Sequence, residues 1–190
     1  MRTVANIFFG SLALLVITTA AHADYVSRTY SFDLSDALPY GESFGSAMIE
    51  AYDGVGPGGG GLAAGQLRMT FHAAPLPIYG PVDSSFGIQQ LGFNSKLDIK
   101  DAQIQLPAGW KVRNDRFMGG FGKFRWQAYG DPSVLGGPLA ITIDGLGADA
   151  TVESFLVESR TSTGDWPLFG SVYFASRIGG FDLNNDFFDL

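Results

Sequence analysis

The sequence predicts an all-β fold, an antiparallel β-sandwich of jelly-roll or immunoglobulin-like type. Three observations carry that expectation. Short runs alternate apolar and polar residues, as where Leu67, Met69 and Phe71 interleave with Arg68, Thr70 and His72. Gly, Pro, Asn and Asp punctuate those runs at short intervals, and no long amphipathic helix interrupts them. The densest part of the pattern is 118–126, MGGFGKFRW, where a double-glycine turn feeds an alternating strand. The alternative architecture is an eight-stranded outer-membrane barrel. Such a barrel needs strands of ~9–11 residues with a lipid-facing apolar band, and most runs here are shorter or break phase.

The chain opens with the three parts of a secretory leader. Arg2 supplies a positive start, 7–17 (IFFGSLALLVI) is an apolar stretch, and Ala21-His22-Ala23 fits the small-x-small cleavage rule. The apolar stretch is shorter than the ~20 residues of a membrane span. Residues 1–23 therefore read as a signal peptide, and 24–190 as one domain, exported to the periplasm or the exterior. A chain of about 150 residues buries roughly 70% of its unfolded surface, enough for a full core.

From Asp24 onward the strands follow in order. Residues 25–34 (YVSRTYSFDL) place Tyr30, Phe32 and Leu34 at spacing two. In 46–52 (SAMIEAY) the spacing of Met48 and Tyr52 also suits a helix; the strand reading is preferred. Residues 53–65 (DGVGPGGGGLAAG) form a Gly-rich surface loop. It is not a phosphate loop, because no Lys-Ser/Thr follows and no strand-then-helix unit flanks it. Gln66–Ala73 is the next strand, with His72 on its polar face. Pro75, Pro77 and Pro81 mark a loop, and 88–93 is a short strand. Between Lys96 and Leu106 the apolar phase slips at Ile99 and Ala102, which predicts a β-bulge near Lys100-Asp101. Pro107–Gly109 turn the chain into a strand over 110–113, and 114–120 connect onward. Residues 123–129 put Phe124, Trp126 and Ala128 on one face. Residues 139–143, 152–157 and 171–178 complete the set.

Composition excludes several chemistries. The domain after Ala23 keeps all 19 acidic residues and loses only Arg2 of the 12 basic ones. An acidic surface disfavours nucleic acid and anionic membranes. There is no cysteine, hence no thiol nucleophile and no disulfide. His22 leaves with the leader, so a serine triad would rest on His72 alone, and no Gly-x-Ser-x-Gly elbow occurs. Zinc prefers several His or Cys ligands. A hydrolase acting on polysaccharide through two carboxylates stays open as an alternative, although no pair is marked. Catalytic residues are therefore none, and the expectation is that the protein is not an enzyme.

Two tryptophans are the candidate ligand-binding residues. Trp110 and Trp166 follow or sit in turns, where an aromatic face can stack on a sugar ring; packing against the fold is the alternative for each. Trp126 alternates with Phe124 and is expected in the core. The run Asp182-Leu183-Asn184-Asn185-Asp186 resembles the start of a calcium loop, but Phe187 stands where glycine is required. No metal site and no cofactor are expected on sequence grounds, with calcium left open.

A family texture emerges between residues 86 and 181. Gly92-Phe93-Asn94, then Ile104, Leu106 and Gly109-Trp110, then Gly119-Gly120-Phe121-Gly122-Lys123-Phe124 carry it. So do Pro138 to Leu146 and Val172 to Phe181. This texture resembles the exported β-sandwich domains of PEP-CTERM proteins, which exosortase sorts. The resemblance implies association with exopolysaccharide or extracellular matrix, and it supplies no catalytic residues. After Phe181 the chain shows no Pro-Glu-Pro, apolar helix or basic tail, so an anchorless relative is expected. The function that follows is a secreted, non-catalytic binding or matrix module with polysaccharide as partner. A self-assembling structural subunit is a further alternative.

Overall fold

The structure, a computed structural model, describes residues 5–10, 25–32, 34–35, 43–52, 61–74, 82–130, 137–147, 150–160 and 172–181. Two antiparallel sheets face one another, and they do not close into a barrel. The six-stranded sheet has the order β3-β1-β11-β6-β9-β8. Its strands are β1 (Ala5–Gly10), β3 (Leu34–Ser35), β6 (Val82–Phe93), β8 (Trp110–Phe117), β9 (Lys123–Gly130) and β11 (Phe174–Phe181). The five-stranded sheet has the order β2-β4-β5-β10-β7. It contains β2 (Tyr25–Phe32), β4 (Gly45–Tyr52), β5 (Gln66–Ala73), β7 (Ile104–Gln105) and β10 (Leu139–Ile143). Among the described residues every strand pair is antiparallel, so the all-β sandwich is the observed fold.

The period of two explains the core. Alternate residues of a strand share a face. Tyr30 and Phe32 of β2, Ala47 and Ile49 of β4, Leu67, Met69 and Phe71 of β5, and Leu139, Ile141 and Ile143 of β10 all point inward and are buried. They meet Ile88, Leu91, Phe93, Trp126, Ala128, Phe174 and Ile178 from the other sheet. Phe93 stacks on Trp126 at 5.7 Å, and Phe71 meets Phe174 edge-on at 5.8 Å. Such ring pairs add ~0.5–1.5 kcal/mol each beyond the area they bury.

A second, smaller cluster lies beside the main core: Met118, Phe121, Phe124, Val172 and Ala175. The 3₁₀ turn Gly119–Phe121 closes it, through a bond from the Phe121 amide to the Met118 carbonyl at 3.0 Å. Phe124 thus leaves the main core, whereas Trp126 and Ala128 join it as the alternation predicts. Gly92 makes room for this. A Cβ there would stand 2.7 Å from the Phe124 ring and 3.0 Å from Met118.

Several local expectations are confirmed. The segment around Met48 is a strand, His72 is exposed on the polar face of β5, and β10 matches its expected bounds. Others need correction. The phase slip after Ile99 is a 3₁₀ turn, Asp101–Gln103, and not a β-bulge. The Lys100 amide donates to Gln103 Oε1 at 2.8 Å while the Gln103 amide donates to the Lys100 carbonyl at 2.9 Å. That reciprocal cap stabilises a turn where the ladder stops. The expected strand over 152–157 is likewise a 3₁₀ turn, Val152–Phe155. Its spacing of three sends both Val152 and Phe155 into the core, and the Thr151 amide donates to the Ser154 hydroxyl at 3.3 Å. β8 runs to Phe117, well beyond Arg113.

Most of the Gly-rich loop (53–60) and the proline loop (75–81) lie outside the described residues. The segment read as a leader does contribute structure. β1 lies within residues 1–23 and pairs with β11 over Ala5↔Phe181, Ile7↔Ile178, Phe8↔Arg177, Phe9↔Ser176 and Gly10↔Ala175.

Candidate binding face

The outer face of the five-stranded sheet is made by the residues that alternate with its core. On β4 these are Ser46, Met48, Glu50 and Tyr52; on β5 they are Gln66, Arg68, Thr70 and His72. Strand register aligns them into rows. One row crosses all five strands as Ser27, Glu50, Arg68, Thr142 and Gln105. Strands sit ~4.8 Å apart, so this row spans roughly 19 Å. The next row, Thr29, Met48, Thr70 and Ala140, carries hydroxyls on two of its four strands.

The row has a rigid centre. Arg68 Nε donates to Glu50 Oε2 at 2.6 Å, and a second guanidinium nitrogen donates to Glu50 Oε1 at 2.8 Å. This two-pronged geometry fixes both planes. The Tyr25 hydroxyl donates to the same carboxylate. Glu50 is only 3% exposed, while the Arg68 side chain is 29% exposed. Arg68 holds the Glu50 carboxyl below its ordinary range, against the upward push of burial. Burial, followed by the bond to the Glu50 carboxylate, pushes the Tyr25 phenol up. At the edge of this cluster Gln66 Nε2 donates to Asp144 at 2.8 Å, and Gln66 Oε1 accepts from the Ala63 amide at 2.7 Å. The arrangement aligns Ser27, Thr142 and Gln105 with an ion pair whose charges cancel and whose carboxylate is shielded by its own partners.

The remaining carboxylates with a displaced titration also lie low. Lys100 and then Arg125 hold Asp98 down. Burial pulls Glu153 up, but hydrogen bonds from its own backbone and Thr151, with the Arg28 pair at 2.9 Å, outweigh it. Among the described residues no group of three or more His, Cys, Asp or Glu side chains is placed to hold a metal ion.

The two described tryptophans lie on neighbouring strands of the other sheet. Trp110 is half-buried at the start of β8, on the other sheet, and packs against the main core. Its indole lies across Gly130, where a Cβ would come within 2.5 Å of the ring. Trp126 is buried between the sheets. Trp166 and the Asp182–Asp186 run lie outside the described residues. Sequence reasoning missed the Tyr25–Glu50–Arg68 cluster because its members are far apart in the chain. The available signal was an acid on the polar side of one strand and an arginine on the polar side of a neighbouring strand, a pairing that cross-strand register favours. No protein-family model, no curated protein and no solved structure matches the chain.

Proposed function

We propose that the protein is an exported, non-catalytic β-sandwich that binds extracellular polysaccharide through the outer face of its five-stranded sheet. The observation that carries this reading is the in-register polar row Ser27–Glu50–Arg68–Thr142–Gln105. A glycan presents hydroxyls that both donate and accept, at repeated intervals along an extended chain. An in-register row of hydroxyl, amide and paired ionic groups answers that chemistry with fixed partners, and fixed partners lower the ordering cost of binding. The ion pair at its centre is charge-neutral, which suits a neutral or weakly charged polymer. The leader-like start of the chain and the PEP-CTERM texture of 86–181 support the same setting.

The test is a glycan array and a polysaccharide pull-down with the exported chain, with and without calcium. Binding is expected, and Thr142→Arg on the face should weaken it at least tenfold, while Lys111→Ala on the other sheet should not. Absence of binding to every glycan removes the carbohydrate reading. Binding that is indifferent to Thr142→Arg moves the site off this face.

A further inference from the structure

β11 is built as an interior strand. From Phe174 to Gly180 every residue except Arg177 is buried. The strand, FASRIGGF, has no proline, no lysine and a single charge. The edge strand β8, WKVRNDRF, shows the contrast. It carries Lys111, Arg113, Asp115 and Arg116, its last four residues are exposed, and Asp115 adopts φ 56°. Charge and local distortion are the usual means of keeping an edge from pairing with another chain. Over residues 174–176 β11 has neither; Arg177 is its one charge and its register shifts fall from Arg177 onward, so this part of the strand calls for a neighbour on each side. β6 fills one side and β1 the other. β1, however, lies within the leader-like residues 1–23, and its removal opens one whole side of β11.

We propose that in the exported chain the open edge of β11 pairs with β11 of a second copy, and that β1 occupies that edge in the precursor until the leader is cut. This rests on the export reading above. The register with β1 demonstrates that the edge accepts an antiparallel strand. Two copies of β11 related by a two-fold axis satisfy both edges at once and form a closed, isologous contact. Centring the axis on Ser176 sets Phe174 opposite Ile178, both residues of the core. It sets Ala175 opposite Arg177, avoiding two arginines face to face, which like-charge repulsion disfavours. It also sets Ser176 opposite its own copy. The Ser176 hydroxyl is buried with no hydrogen-bond partner, and across the axis one hydroxyl can donate to the other.

The chain has no cysteine, so single cysteines report the register directly. The exported protein is purified, and intact mass establishes whether residues 1–23 are gone. Light scattering then gives the oligomeric state. A cleaved chain at twice the monomer mass is expected, and a synthetic peptide of residues 4–11 should return it to monomers. Under mild oxidation Ser176→Cys should give a covalent dimer and Ala175→Cys should not. A retained leader overturns the export reading and this proposal with it. A cleaved chain that stays monomeric at the highest concentration reached overturns this proposal alone. So does a dimer that the peptide leaves intact, or one that cross-links equally through both positions. The scattering and peptide measurements use the unaltered chain, so they decide the matter even if a cysteine variant fails to fold.

Discussion

Replacing Arg68 with alanine tests whether the centre of the polar face is an ion pair that matters. The substitution strips two hydrogen bonds, at 2.6 and 2.8 Å, from a carboxylate that is 3% exposed. Breaking a fully buried pair by removing one partner costs about 3–5 kcal/mol. Arg68 retains 29% exposure and Tyr25 still donates to Glu50, so the expected loss is smaller, about 2–3 kcal/mol. At ~2–4 °C per kcal/mol for a chain of this size, the melting temperature should fall by about 5–10 °C. The pH dependence carries a definite sign. In the native protein the Glu50 carboxyl is held below its unfolded value by Arg68. Its stabilising contribution is therefore present above the unfolded carboxylate value and is lost as pH falls through the folded one. Without Arg68, burial pushes the same carboxyl upward. The variant then carries a buried charge at pH 7 that protonation relieves, so the cost of Arg68→Ala should shrink between pH 7 and pH 4. Urea unfolding at both pH values measures this. In a Glu50→Gln background the cost should mostly disappear, because no charge is left unpaired. A loss below about 0.5 kcal/mol at pH 7, or equal losses at both pH values, would refute the reasoning.

Two other substitutions probe the packing. Tyr30→Phe should stabilise the protein by about 0.5–1 kcal/mol, since it deletes a buried hydroxyl with no hydrogen-bond partner while keeping the ring contact with Phe174 at 6.2 Å; a lower melting temperature would show that this hydroxyl is satisfied in solution. Gly92→Ala should destabilise by about 1–3 kcal/mol, because the added methyl meets Phe124 at 2.7 Å and Met118 at 3.0 Å inside a closed cluster; a neutral result in chemical denaturation would mean that this cluster repacks freely.

The fold was legible where the signal is local. Alternation over Gln66–Ala73 and Leu139–Ile143 gives strand, face and core together, because side chains of a strand point to opposite sides whatever its neighbours are. It failed at Ile99–Gln103 and Val152–Phe155. There an interval of three between apolar residues fits both a bulged strand and a 3₁₀ turn, and side-chain bonds from Gln103 and Ser154 decide for the turn. The aromatic alternation of β9 was half informative. It placed Trp126 and Ala128 in the core, but Phe124 goes to a second cluster that packs against the distant Gly92, where no side chain stands in its way. The polar face was illegible for a related reason. Ser27, Glu50, Arg68, Thr142 and Gln105 share a row only through register across five strands, and a single sequence does not encode which strand lies beside which. Trp110 follows a turn in the sequence, and its indole lies across Gly130.

The polar face and the β11 edge belong to opposite sheets of one sandwich, so pairing at the edge sets the direction of the face. An antiparallel pair related by a two-fold keeps like faces of the sheet on the same side. Joining two copies through β11 would therefore stack both five-stranded sheets on one side of a continuous larger sheet. Their polar faces would then point the same way, ready to engage one polymer or one surface at two places. Bivalent engagement raises apparent affinity by ~10²–10⁴ without any new contact, provided that the geometry allows both sites to bind together. The Ser176→Cys dimer, locked by oxidation, should therefore retain polysaccharide-coated beads far more tightly than its reduced form diluted below the dimerisation range. Both should bind a short free oligosaccharide equally, because one face suffices for it. Equal retention on beads would place the two faces in directions that a single surface cannot meet. A difference already present with the short oligosaccharide would mean that the contact between copies reshapes the face itself.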